Sequence, residues 1–304
     1  MPHVGRFLEP ALVERLNQLQ LTARSVVEGT TAGLHRSPLK GASVEFRQHR
    51  FYVPGDEPRR LDWRVLGRTD RPYIKEYDEE TNLRCAILLD RSGSMAYGGR
   101  GAAAGALRAS KFDYAARLAA ALGYLMLAHS ESVGLGVFGM KLETWLAPHA
   151  GSGQLARAID VLERTAPLGE SDPARGMREV ADRLERRGLV IVLSDFFSDP
   201  RSIRTGIARL RHDRHEVILV QVLDRDEEEF PFRRWSRFRG LEGESPQLFE
   251  TALMRRTYLD NFRRHRKQLT DDCRALHAEL ATFRTDLPVI DAVTSLVRRR
   301  RMAG

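Results

Sequence analysis

Cysteine is nearly absent from this chain. Of 304 residues only Cys85 and Cys273 carry thiols, far apart and outside any paired motif. That excludes a disulfide scaffold and a cysteine-rich zinc site, and it points to a reducing compartment. Lysine is scarce as well, occurring only at 40, 75, 111, 141 and 267, so the net charge of +8 rests on arginine. The arginines are scattered among Asp and Glu rather than gathered in a patch, which argues against a nucleic-acid surface. Long apolar runs are missing too: the longest, Ala115 to Ala128, is interrupted by Arg117 and too short to span a bilayer. With no apolar leader core at the start, these absences predict a soluble cytoplasmic protein without a transmembrane segment.

Enzyme signatures are equally thin. Gly98–Gly105 is rich in Gly and Ala but is not followed by Gly-Lys-Ser/Thr, which excludes an ATP phosphate loop. The nine histidines show no paired zinc-ligand spacing; His212-Asp213-Arg214-His215 reads as a surface turn at a helix end. The stretch Asp224-Arg225-Asp226-Glu227-Glu228-Glu229 reads as a solvated acidic run.

What is present is a strand–helix alternation. Apolar strands are expected at 83–89, 133–138, 189–193 and 216–222, with an edge strand at 142–146. Helices are expected at 111–129, 154–164, 173–187, 201–211 and about 251–280, with a short strand near 281–284 before a last helix. Continuously apolar strands such as Leu189-Val190-Ile191-Val192-Leu193 suit a mostly parallel sheet covered on both faces. Upstream, Leu8–Val27 reads as an amphipathic helix, and Gly41–Thr81 as short strands joined by Pro-Gly turns.

The chemistry concentrates at Asp90-Arg91-Ser92-Gly93-Ser94, directly after the first apolar strand. This places a carboxylate and two hydroxyls at the carboxyl edge of the sheet, where open α/β sheets bind ligands. A carboxylate beside hydroxyls is the donor set of a small hard cation such as Mg²⁺. Two further segments serve the same edge: Gly169-Glu170-Ser171-Asp172 offers another hydroxyl, and Ser194-Asp195-Phe196 another carboxylate after a later strand. If their strands are neighbours, Asp90 and Asp195 repel unless a cation lies between them. The competing explanation is ordinary, since Ser and Asp are favoured helix N-caps.

The order Asp-x-Ser-x-Ser, hydroxyl loop, later Asp resembles the metal-ion-dependent adhesion site of von Willebrand factor A domains. The resemblance implies that Asp90, Ser92 and Ser94 form the first motif, Ser171 the second (where Thr is usual) and Asp195 the third. It implies Mg²⁺, Mn²⁺ or Ca²⁺ with an open position filled by an acidic residue of a partner protein. A longer stretch is similar to domain-of-unknown-function family 58. It includes Tyr52-Val53-Pro54-Gly55-Asp56, Arg60-Leu61-Asp62-Trp63, Arg68-Thr69-Asp70-Arg71 and Tyr73-Ile74-Lys75-Glu76-Tyr77. That similarity implies a bacterial or archaeal protein working with a MoxR-type AAA+ ATPase.

The expectation is therefore a von Willebrand factor A-like α/β domain over 81–304, with a surface β insertion at about 226–252. Residues 1–80 would supply a helix and a β-rich strap packed on that core. The expected function is metal-dependent protein binding as adaptor or chaperone-like partner of the ATPase, without catalysis. Within the strap, Asp56, Arg60, Asp62, Trp63, Arg68 and Lys75 allow three readings: a phosphate cradle of Arg and Lys with Asp56 or Asp62 as base and Trp63 as a stacking face, a hydrogen-bonded strap, which is favoured because no nucleophile–base pair is visible, or, through Arg60, Trp63 and Arg68, a docking face. The alternative is a Mg²⁺-dependent hydrolase of phosphate esters, for which Asp172 or Asp199 would have to act as base.

Overall fold

The computed structural model describes residues 6–19, 44–52, 61–69, 71–79, 83–99, 109–232, 235–238 and 247–303. The chain divides into two compact units, one comprising Met1–Thr31 with Leu83–Gly304, the other Ala32–Asn82. The N-terminal helix therefore groups with the α/β body, not with the strap.

The smaller unit is an antiparallel pair with one helix. Strand β1 (Val44–Phe51) pairs with β2 (Tyr73–Glu79), and the register shifts between Phe46 and Gln48. Phe51 faces Tyr73 across the pair with ring centroids 4.6 Å apart. Between the strands lies helix α2 (Trp63–Thr69). Asp62 precedes it, and its carboxylate accepts from the Val65 amide at 3.3 Å, so this acid is a helix cap. Trp63 and Arg68 are exposed, Trp63 at 67 %. Asp56 and Arg60 lie outside the described residues, as do 20–27 of the expected first helix and the 100–108 part of the Gly/Ala loop.

In the larger unit, helix α1 (10–19) precedes the sheet strands β3 (Arg84–Asp90), β4 (Ser132–Phe138), β5 (Leu142–His149), β6 (Leu189–Ser194), β7 (Glu216–Leu223) and β10 (Glu279–Arg284). Their spatial order is β10-β7-β6-β3-β4-β5, and β5 alone runs antiparallel, at the edge. The mostly parallel, helix-flanked sheet read from the sequence is the one the chain builds. Along β3 the side chains alternate between two cores. Cys85, Ile87 and Leu89 join α3 (Lys111–Ala128), α4 (Ser152–Arg164) and α9 (Val289–Ala303) on one face. Ala86 and Leu88 join α5 (Pro173–Ala181), α6 (Pro200–His212) and α8 (Thr251–Ala275) on the other. Cys85 and Cys273 are both buried, acting as small apolar residues. After β7 come the short helix α7 (Arg225–Glu229) and a hairpin of β8 (Trp235–Phe238) with β9 (Gln247–Glu250).

Two helices stop short of their expected ends. Helix α5 ends at Ala181, not Arg187, where the Arg183 and Asp182 amides turn back on Val180 and Arg178. Helix α8 ends at Ala275, not Leu280. His277 takes a left-handed φ of 52°, and the Ala278 amide reaches back to the Cys273 carbonyl at 2.9 Å, a Schellman-type stop.

Chain direction reverses sides at β3: the next strands, β4 and β5, lie to one side, while β6, β7 and β10 lie to the other. The crevice at the carboxyl ends of β3 and β6 is thus the switch point, the usual place for a ligand on such a sheet.

Candidate functional site

Asp90 closes β3 and is buried, with 1 % exposure. Leu89 pairs with Leu193 of β6, so Asp90 and the Ser194-Asp195 step stand side by side at the sheet edge, the adjacency on which the cation argument depended. One Asp90 oxygen, Oδ1, accepts from the Ser92 amide at 2.8 Å, folding the chain into an Asx-type turn. The other, Oδ2, accepts from Ser194 Oγ at 2.6 Å and from Ser171 Oγ at 3.2 Å. Ser92 and Ser94 hydroxyls lie 3.0 Å apart. Burial first and the neighbouring Asp195 charge second push the Asp90 carboxyl up to about 6, against the opposing hydrogen bonds from Ser194 and Ser92.

Three loops hold this arrangement. A 3₁₀ turn, Gly93–Ala96, takes up the end of the motif, and its amide at Gly93 donates to the Gly169 carbonyl at 2.7 Å. Leu168 N donates to Arg91 O at 2.8 Å, and Asp172 N to Gly139 O at 3.0 Å, which zips the Ser171 loop onto the motif and the β4–β5 turn. Behind Asp195, buried Phe196 adopts a left-handed φ of 56°. That conformation costs a non-glycine residue about 1 kcal/mol or more. Here the Phe196 amide is satisfied by Ser194 Oγ at 2.9 Å and its carbonyl by His265 at 2.8 Å.

The helix-cap explanation fails for the two motif serines. Ser92 precedes the 3₁₀ turn but its side chain caps nothing, and the cap of α3 is Ser110, which accepts from the Asp113 amide. It holds for two other acids. Asp172 caps α5 through the Arg175 amide at 2.9 Å, and Asp199 caps α6 through the Arg201 amide at 3.1 Å. Each is followed by proline at the first helical position, the usual helix start.

Asp195 is near the cluster but differently engaged. Its Oδ2 receives Lys111 Nζ at 2.7 Å and its Oδ1 the Phe197 amide at 3.2 Å. Lys111 is fully buried at the first position of α3 and also donates to Glu227 Oε1 at 2.6 Å. Burial pulls the Lys111 ammonium down, but Asp195 and Glu227 outweigh it and hold the group above its ordinary value. Glu227 in turn completes a capping box on α7 with Asp224, and burial pushes its carboxyl up. Asp224 is buried, accepting from Gly99 N at 3.2 Å and Thr285 Oγ1 at 2.9 Å. The acidic run expected to be solvated is thus partly a buried wall of the site. His215 also departs from the surface-turn expectation: it is 1 % exposed, and its Nδ1 accepts from Gly188 N at 3.2 Å.

The structure therefore brings Asp90, Ser92, Ser94 and Ser171 together, adds Ser194, and pairs Asp195 with Lys111. Lys111, Glu227 and Ser194 escaped the sequence reasoning; only Ser194, adjacent to Asp195, carried a local signal. Four of the five expected ligands form the all-oxygen donor set a hard cation takes, whereas Asp195 is engaged elsewhere. Among the described residues no group of three His, Cys, Asp or Glu side chains is disposed to hold a metal ion. Three large apolar side chains on the surrounding loops are exposed: Met140, Leu168 and Phe197.

A family model described as "Protein of unknown function DUF58" matches residues 48–268. An uncharacterized protein of Mycobacterium tuberculosis is 27 % identical over 308 residues, spanning 98 % of this chain and 93 % of that protein. Among solved structures, an aerotolerance-related membrane protein of Bacteroides fragilis matches with 14 % identity and a TM-score of 0.48, over 71 % of this chain and 97 % of that one. The SpRpn10 VWA domain matches with 11 % identity and a TM-score of 0.36, over 70 % and 94 %. The expected cytoplasmic location is corrected by these matches, since solved structures similar to this chain are described as membrane proteins. That expectation rested on scarce cysteine, the lack of an apolar leader core and the lack of an apolar span, the last of which concerns helices only. Among the described residues no helix is long and apolar enough to cross a membrane.

Proposed function

The chain belongs to the DUF58 family, and we propose that it is a protein-binding module whose partner is captured at the carboxyl edge of the sheet with the help of a divalent cation. The observation that carries this is the convergence of Asp90, Ser92, Ser94 and Ser171 beside the exposed Met140, Leu168 and Phe197. Oxygen donors that cap no helix, Asp90 and Ser92 buried and Ser94 and Ser171 half-buried, supply the polar centre, and large exposed apolar side chains beside polar groups mark surfaces that protein partners cover.

Asp90, Ser92, Ser94 and Ser171 would hold Mg²⁺, Mn²⁺ or Ca²⁺. The bound ion would supply a coordination position for an acidic side chain of the partner. The resemblance noted above makes a MoxR-type AAA+ ATPase the partner to test. Phosphate-ester hydrolysis is less well supported, because Asp172 and Asp199, its candidate bases, are engaged as helix caps.

The test is capture of a purified MoxR-type ATPase on immobilised protein, in Mg²⁺ and in EDTA. Wild type should retain the ATPase in Mg²⁺ only. Asp90→Ala should lose it in both, and Leu168→Asp should lose it without losing the thermal response to Mg²⁺. Equal capture in EDTA, or by Asp90→Ala, would sink the proposal.

A further inference from the structure

We propose that Lys111 is a built-in counter-cation that keeps Asp195 out of the divalent-ion ligand set, so that the site binds its ion through a single carboxylate. This rests on the cation reading of the Asp90 cluster and adds what sets its strength. Both Asp195 oxygens are taken, Oδ2 by the Lys111 ammonium at 2.7 Å and Oδ1 by the Phe197 amide at 3.2 Å. The Asp90 oxygens are taken mostly by serine hydroxyls, which can rotate and turn their lone pairs to an ion.

The lysine is held from every side. It occupies the first position of α3, fixed by the Ser110 cap, and its amide donates to the Tyr97 carbonyl at 2.9 Å. Glu227, its second partner at 2.6 Å, is locked by the α7 capping box. The Phe197 ring covers the ammonium with its centroid 5.0 Å away. An ammonium with no exposure, between two carboxylates and against an aromatic face, is a fixed positive charge next to the cation cluster. It does for Asp195 what a second-carboxylate contact to the ion would do, neutralising its charge, and it repels a divalent ion at the same time. Removing the ammonium frees Asp195 for the ion.

The experiment measures Mn²⁺ binding, by loss of the free-ion electron paramagnetic resonance signal, to wild type, Lys111→Met/Glu227→Gln and Lys111→Met/Glu227→Gln/Asp195→Asn. The Glu227→Gln change removes the second carboxylate, which Lys111→Met alone would strand in the interior. The double variant should bind Mn²⁺ at least tenfold more tightly than wild type, and the triple variant should lose that gain. A double variant that binds no more tightly than a wild type with measurable affinity overturns the role of Lys111 and leaves the cation reading standing. Binding by the double variant with none by wild type supports Lys111 as the ion's substitute and removes metal dependence from the function proposed for the native chain. No binding by either overturns both.

A measurement on the native protein covers the case in which the variants do not fold. The side-chain ammonium signal of Lys111, followed by ¹⁵N NMR, should persist with an unchanged shift when saturating Mg²⁺ is added. Its loss or displacement would mean that Asp195 leaves Lys111 for the ion, and would overturn the proposal.

Discussion

Replacing Asp90 by Asn is expected to stabilise the ion-free protein. Asp90 is 1 % exposed and next to Asp195, and its carboxyl is raised from 3.8 to about 6. At 1.36 kcal/mol per unit, the charged form costs the fold roughly 3 kcal/mol at pH 8. Asparagine is nearly the same shape and carries no charge, so it removes that penalty. Its amide nitrogen cannot accept the hydrogen bonds that Ser194 and Ser171 donate to Oδ2. Losing that acceptor returns about 1 kcal/mol or somewhat more. The net gain is therefore about 1–2 kcal/mol. The sign with pH follows from proton uptake: the folded chain holds the Asp90 proton more tightly than the unfolded chain, so the wild-type penalty fades as pH falls from about 6 toward 3.8. Urea denaturation in EDTA at pH 8 and at pH 4.5 reads both effects, with the advantage of Asp90→Asn large at the first and small at the second. Saturating Mg²⁺, at about a hundred times its dissociation constant, should then add roughly 2.7 kcal/mol to wild type alone and reverse the order. An Asn variant less stable than wild type in EDTA at pH 8, or a gain that is the same at both pH values, would refute the reasoning.

Lys111→Met should cost about 3–5 kcal/mol in the same denaturation assay, because it leaves Asp195 and Glu227 buried without their cation. Adding Glu227→Gln should recover part of the loss, and a double-mutant coupling below about 0.5 kcal/mol would show that the pair is not energetically linked. His215, buried with Nε2 unpartnered, has its imidazole held below the ordinary 6.5 by burial. The unfolded chain takes up that proton first, so His215 contributes stability above pH 6.5 that is lost as pH falls. Relative to wild type, His215→Gln should gain stability between pH 7 and pH 5; a parallel pH profile would contradict the assignment.

Much of this architecture is written locally. The uninterrupted apolar strands, and the Asp-Pro starts of α5 and α6, are short-range signals that a sequence exposes directly. Asp-x-Ser-x-Ser after β3 is equally local, and because strand ends of a parallel sheet share one edge, it also fixed where the cluster must stand. The engagement of Asp195 was not legible, since the lysine that joins the two acids lies 84 residues from Asp195 and 116 from Glu227. A lysine at the start of an apolar helix looks like a solvated end, and an acidic run looks like a surface. Only the parallel pairing of β3, β6 and β7, which sets Asp90, Asp195 and the start of α7 along one edge, turns those charges toward each other and buries them. The sequence by itself determined the sheet and the oxygen donors at its edge. The tertiary structure decided their charge balance, because electrostatic pairing depends on distance in space and on exclusion of water, neither of which is encoded in spacing along the chain.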